Sequence, residues 1–372
     1  MNVFLIVFSY IALLVFGLID NSRGPVYPEI LNFFSINKSQ GALFFTLSSI
    51  MAFIVNLFSS RILSKTGVVN SLKISLLLMV LATLVYGYAG QIDGAYPLFI
   101  LGSIILGSGV GLLSVSNNLL ISKNSPTHLK QQLFSGLHSM YGLSSFAAPL
   151  LYAYVLTSGV SWQNFFYILS AFPLLALIIF MRAKNDTFEI KHTSENKIPK
   201  SIFIPLGILL SFYVSSEILV STRLVIFLKE YWSFSSERAS SFLSIFFFLL
   251  LSGRLSFAFI RIPINPLLLL KISALSSICL FILGIKVSPI FLPVLGLSMS
   301  YFFPCSLGWL SNKYSANIDK LITILMMFVN GMIVIIHSLF GIISDSYGIV
   351  WAFSLGFFFQ ALVLYLLQKQ TR

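Results

Sequence analysis

Four ionised side chains stand inside or at the edge of long apolar runs: Asp20 and Arg23 in one, Glu217 and Arg223 in another. A charge in the hydrocarbon core of a bilayer costs at least about 2.5 kcal/mol on insertion scales, so such side chains mark solute or ion pathways. Carboxylates at that depth bind the hydroxyls of a solute or carry a proton. Arg23 lies three residues beyond Asp20 on the same helix face and is placed to pair with it. Arg223 lies six residues beyond Glu217. Six residues turn a helix by about 600° and rise about 9 Å, so each of these two is expected to find its partner elsewhere. A second reading makes Asp20 and Arg23 a solvated structural pair at the outer interface. Gly24-Pro25 and Pro28 follow them, and proline removes a backbone donor. That places a helix end here, the alternative being an unwound segment that offers carbonyls to a solute.

Other groups could join this chemistry. Tyr141, Tyr301, Asn330, His337 and Trp309 are polar or amphipathic side chains within apolar runs, suited to the hydroxyls and ring faces of a sugar. The competing reading is ordinary core or interfacial packing. Asn117 and Asn118 close one run and His138 opens the next, as an inner hydrogen-bonded gate or as interfacial caps. Ser103, Gly107 and Gly111 at a spacing of four, with Gly109, read as a surface for close helix packing. No catalytic constellation, phosphate loop or metal spacing is present, so neither an enzyme nor a cofactor is expected. Cys279 and Cys305 lie in apolar runs and read as free thiols.

The elements that position these residues follow from composition. Of 372 residues, 9% are charged and 57% hydrophobic, with 37 Phe; an ordinary soluble domain carries about 25% charged residues. Mean hydropathy is +0.95. A soluble, disordered or coiled-coil chain is excluded, and a polytopic helical membrane protein remains. The net charge of +12 does not point to nucleic acid, because the basic residues are scattered between apolar runs. Twelve such runs succeed one another, the first opening at Val3 and the last closing at Leu367. The first reads as a span and not a leader, since nothing basic precedes it. Twelve spans put both termini on one side. That side holds seventeen of the 23 Lys and Arg, the other holds five, and Arg223 lies within a span. The positive-inside rule then places both termini in the cytoplasm.

The longest polar stretch, Arg182 to Lys200, divides the chain into residues 1–181, a cytoplasmic linker over 182–200, and residues 201–372. The two parts echo each other. With an offset of 200, Arg23 meets Arg223, Phe34-Ser35 meets Phe234-Ser235, Lys38 meets Arg238 and Arg61-Ile62 meets Arg261-Ile262. With an offset of 198, Leu72-Lys73-Ile74-Ser75 meets Leu270-Lys271-Ile272-Ser273. With an offset of 189, Gly159-Val160-Ser161-Trp162 meets Gly348-Ile349-Val350-Trp351. Two similar six-helix halves with cytoplasmic termini resemble the major facilitator superfamily. The tetrapeptides ending in Trp162 and Trp351, and the stretch Gly341 to Gly348, carry the likeness. So does the loop Ser60 to Gly67, although Ser64 stands where that family has an aspartate. Within the superfamily the chain is most similar to the fucose and glucose permease branch. The residues concerned are Phe212-Tyr213-Val214-Ser215-Ser216-Glu217, Phe242-Leu243-Ser244, Gly253-Arg254, and Leu137 through Pro149. The departure is in the first half, whose fourth span lacks an acidic residue.

The resemblance implies an all-α membrane protein: twelve transmembrane helices in two pseudo-symmetric six-helix bundles. It implies a secondary transporter for a small polar solute, a sugar first, with H+ or Na+ as coupling ion. Asp20, Arg23, Glu217 and Arg223 are expected to line a wet cavity between the halves, and Arg254 joins the gate candidates. A monomer in a bacterial cytoplasmic membrane is expected, with lipid and solute as its partners. Export of drugs or metabolites is the alternative, and a receptor or sensor without flux is the alternative of another class.

Overall fold

A computed structural model describes residues 2–126, 130–184, 199–259, 264–313 and 318–369. Most of the expected linker, and the counterpart of Arg61-Ile62 at residues 261 and 262, lie outside the described residues. The chain divides into two compact units, Met1–His192 and Thr193–Arg372. The first holds α1 (Val3–Phe34), α2 (Lys38–Thr66), α3 (Val68–Ala89), α4 (Tyr96–Asn124), α5 (Lys130–Thr157) and α6 (Trp162–Ile179). The second holds α7 (Lys200–Trp232), α8 (Ser236–Phe259), α9 (Pro266–Lys286), α10 (Phe291–Ser300), α11 (Phe302–Lys313), α12 (Ile318–Tyr347) and α13 (Ile349–Lys369). Among the described residues eleven spans are long and apolar enough to cross a membrane, with α10 and α11 sharing one of them. Helix α5, 28 residues long, occupies the position of the remaining expected run. The protein is thus an all-helical, multi-pass membrane protein.

Helices are the only open-ended element that satisfies every backbone group inside lipid, and their ends here carry polar caps. Asn37 and Gln40 close a reciprocal capping box on α2. Ser161 caps α6 and Asn265 caps α9. Beyond the far end of α6, the Lys73 ammonium donates to the carbonyls of Met181 and Ala183 at 2.7 and 2.6 Å.

In the first unit α1 packs on α5, α2 and α3 pack on α4, and α3 packs on α6. In the second, α7 packs on α12 and α13, α8 on α10, and α9 on α10 and α13. The glycines of α4 do what their spacing suggests. A Cβ on Gly107 would fall on the Ser48 carbonyl of α2, and one on Gly111 would lie 2.8 Å from the Ala52 carbonyl. The second unit repeats the device, because a Cβ on Gly296 of α10 would fall on the Phe246 carbonyl of α8.

The repeat therefore reappears as geometry. Ser75 of α3 donates to the Gly109 carbonyl at 2.8 Å, and Ser273 of α9 donates to the Ser298 carbonyl at 2.6 Å. Gly159 and Gly348, 189 apart, hold left-handed backbone before Trp162 and Trp351. Ser35 and Ser233 end α1 and α7 in the same rare conformation, at φ 51° and 54°. This last pair corrects the sequence alignment: the offset there is 198, not 200. Lys38 at the start of α2 accordingly matches Ser236 at the start of α8, not Arg238.

A second correction concerns Gly24, Pro25 and Pro28. Helix α1 does not end there but runs on to Phe34, and all three residues are buried inside the unit. Neighbouring helices supply the packing that makes the missing proline donors tolerable. Asp20 is therefore residue eighteen of 32 in α1, and Glu217 is residue eighteen of 33 in α7.

Candidate functional site

Each unit carries a charged cluster at the middle of its first helix. In the first unit Arg23 pairs with Asp20, one helical turn away, and its guanidinium also donates to the Phe44 carbonyl at 3.4 Å. The guanidinium carbon lies 5.5 and 5.0 Å from the ring centres of Phe44 and Phe45, within cation–π range. The second carboxylate oxygen of Asp20 accepts from the Tyr141 hydroxyl of α5 at 2.9 Å. Asn21 fixes the same helix pair by donating to Ser145 at 3.0 Å. The close approach of α1 to α5 at Gly17, whose Cβ position Ser144 occupies, makes these contacts possible. Arg23 is 8% exposed and Asp20 22%, so the guanidinium of the pair is buried within the unit. Asp20→Asn would leave a buried guanidinium without its counter-charge. It is expected to destabilise the purified protein by about 3 kcal/mol, measured by unfolding in detergent.

In the second unit Glu217 finds its partner on α8. Arg254 Nη2 donates to Glu217 Oε1 at 2.9 Å, and Arg254 Nε donates to the Ser300 carbonyl at 3.3 Å. The Tyr213 hydroxyl lies 2.8 Å from Glu217 Oε2 and 2.6 Å from the Met299 carbonyl. One hydroxyl has one hydrogen, and a carbonyl only accepts. With an ionised Glu217 the Tyr213 hydrogen is shared between the two acceptors or serves one at a time; a proton on Glu217, donated to Tyr213, would let each contact have a hydrogen of its own. Asp20 differs: it receives two donors and needs no proton of its own.

The two carboxylates take different partners for a geometric reason. Aligning Ser35 with Ser233 sets Glu217 opposite Ile19, one residue before Asp20. One residue rotates a side chain by about 100° around the helix, enough to change the neighbour it meets. Tyr141 corresponds, at the offset of 189, to Asn330 of α12, so the second unit's phenol comes instead from α7 itself.

The remaining expected residues are dispersed. Arg223 is fully buried, its guanidinium carbon 4.9 Å from the Phe340 ring centre; six residues along α7 separate it from Glu217, as the helix geometry implied. His337 is buried in α12, and Asn330 and Tyr301 are half-buried. Asn118 turns its amide back to the Ser114 carbonyl at 2.7 Å, Asn117 is buried, and His138 is exposed. No gate bond between these three is seen among the described residues. Arg254, a gate candidate in the sequence, is the ion-pair partner of Glu217. Sequence reasoning passed over Tyr213 as a site residue, although its spacing of four from Glu217 on a helix was a legible signal. It also passed over Pro304, which breaks the tenth span beside this cluster.

The sequence profile of the Major Facilitator Superfamily matches residues 9–336. Among solved structures, a D-xylose-proton symporter shares the fold with a TM-score of 0.80 at 14% identity, covering 98% of this chain and 97% of that one. The transporter FucP, a member of the same superfamily in its outward conformation, follows at 0.63 and 17%, covering 99% and 98%. At these identities the likeness is one of fold. The protein "Bypass of stop codon protein 6" of Saccharomyces cerevisiae is 22% identical over 173 residues, 46% of this chain and 34% of the relative. The "Efflux pump roqT" of Penicillium rubens is 34% identical over 111 residues, 29% of this chain and 20% of the relative. The matches thus span about a third or less of either curated relative's length.

Proposed function

The chain belongs to the Major Facilitator Superfamily, a family of transporters rather than enzymes, and on that premise we propose that it carries a small polar solute together with a proton by alternating access. A sugar is the first solute class. The observation that carries the reading is the Glu217 carboxyl, halfway along a membrane-crossing helix, in a hydrogen-bond set completed by one added proton. A group of this kind is a proton carrier when it is alternately open to the two sides. The fold shared with a D-xylose-proton symporter supports both the sugar and the proton. Arg223, Asn330, His337 and Tyr301 are the second unit's further candidates for solute contact, and Asp20, Arg23 and Tyr141 are the first unit's. The excess of Lys and Arg on the termini side supports cytoplasmic termini in a cell membrane.

Export of a lipophilic compound is the second reading, favoured by the likeness to an efflux pump. The two are separated by thermal unfolding of purified protein with D-xylose, L-fucose, D-glucose, amino acids and tetraphenylphosphonium. A sugar at about 100 times its Kd is expected to stabilise by about 2.7 kcal/mol. Stabilisation by tetraphenylphosphonium alone would replace the sugar reading by export. Counterflow of the stabilising sugar in proteoliposomes is then expected; binding without counterflow would make the protein a receptor.

A further inference from the structure

We propose that Tyr213 is a positioning residue that ties the break in the tenth span to the proton on Glu217. The proposal rests on the reading of Glu217 as the proton-carrying group. Its first support is the break itself. Helix α10 stops at Ser300 and α11 starts at Phe302, with Pro304 in the first turn of α11. Proline has no N–H to return to the carbonyl four residues earlier, and its ring crowds that carbonyl. The carbonyl in question belongs to Ser300, and Arg254 Nε takes it up. The preceding carbonyl, Met299, is taken up by the Tyr213 hydroxyl. On the other side of the break the Phe302 ring stacks on Tyr213, with centres 4.0 Å apart and planes 8° from parallel. Both ends of the break are therefore held by the two side chains that hold Glu217.

Hydrogen accounting gives the coupling its direction. With Glu217 protonated, Oε2–H donates to Tyr213, Tyr213 donates to Met299, and Arg254 serves both Oε1 and Ser300. When Glu217 releases its proton to water, the carboxylate can only accept. A hydrogen bond to an ionised acceptor is about twice as strong as one to a neutral acceptor. The Tyr213 hydrogen then turns to Glu217, the phenol keeps its own proton, and Met299 loses this donor. On the helices packed against α7, the titratable side chains are Glu237, Arg238 and Arg254 of α8, His337, Asp345 and Tyr347 of α12, and Tyr365 and Lys369 of α13, among the described residues. Of these, Arg254 bonds to the carboxyl. Among its described residues the first unit has no such device: Val15 stands at the position matching Tyr213, and α4 runs unbroken from Tyr96 to Asn124.

Hydrogen–deuterium exchange of the full chain in lipid nanodiscs tests this at the amides of residues 300–303 and 305. After correction for intrinsic rates, wild-type exchange there is expected to rise at least tenfold between low and high pH. Glu217→Gln keeps a donor on the side chain and is expected to exchange slowly at every pH. Tyr213→Phe keeps the ring stack, loses the hydroxyl and is expected to exchange fast at every pH. Wild-type exchange that ignores pH, or Glu217→Gln with the wild-type pH dependence, overturns the proposal even if Tyr213→Phe does not fold. Proton-driven uptake reports separately. Flat exchange with uptake uncoupled by Glu217→Gln defeats only the Tyr213 link. The expected exchange pattern with uptake still coupled defeats only the transport reading.

Discussion

Glu217→Gln is expected to abolish solute accumulation driven by a pH gradient, by tenfold or more, while leaving counterflow of the same solute. Glutamine copies the protonated carboxyl in shape and in bonding. Its carbonyl accepts from Arg254, as Oε1 does now, and its amide donates to Tyr213, as a protonated Oε2 would. What it cannot do is release the proton. A carrier locked in the loaded state exchanges solute for solute but draws nothing from a proton gradient. Asp20→Asn serves as the contrast. The Asp20 carboxylate is already satisfied by Arg23 and Tyr141, so its loss is expected to cost stability and not coupling. Uptake by Glu217→Gln that stays as dependent on the gradient as wild type would remove Glu217 from the coupling role. The measurement is tracer uptake into proteoliposomes with and without an imposed gradient.

Gly107→Val and Gly296→Val are each expected to prevent recovery of folded protein. At both sites the added Cβ would land on a backbone carbonyl, Ser48 or Phe246, which has no rotamer with which to escape. Overpacking that side chains can relieve costs about 1–3 kcal/mol; here two helices must separate, and the contacts along α2–α4 or α8–α10 go with them. Even alanine is expected to lower the unfolding temperature at both positions. Gly331→Ala is the control, since nothing among the described residues lies within 4 Å of its Cβ position in α12. It is expected to be neutral, or stabilising by up to about 1 kcal/mol from helix propensity. The yield of monodisperse protein after detergent extraction reads all of these. Equal losses at Gly107 and Gly296 would show that the repeat is energetic as well as geometric.

The amino-acid sequence by itself determined the membrane class, the run of spans and the family, because each rests on sums over many residues. A run of about twenty apolar residues is long enough to cross the bilayer as a helix wherever it occurs. The glycine spacing of α4 was equally legible, since small residues four apart share one face. The pairing of Asp20 with Arg23 needed only helical spacing. Other features depended on contacts between residues distant in the chain. The extension of α1 through two prolines depends on the neighbours that bury it. The partners of the two carboxylates depend on a one-residue difference between α1 and α7, which a composition this repetitive misaligned by two. Arg254 lies 37 residues from Glu217, and Met299 lies 86 from Tyr213. Only the packing of α8 on α7, and of α10 on α8, brings these groups to one carboxyl and gives the phenol two acceptors for its one hydrogen.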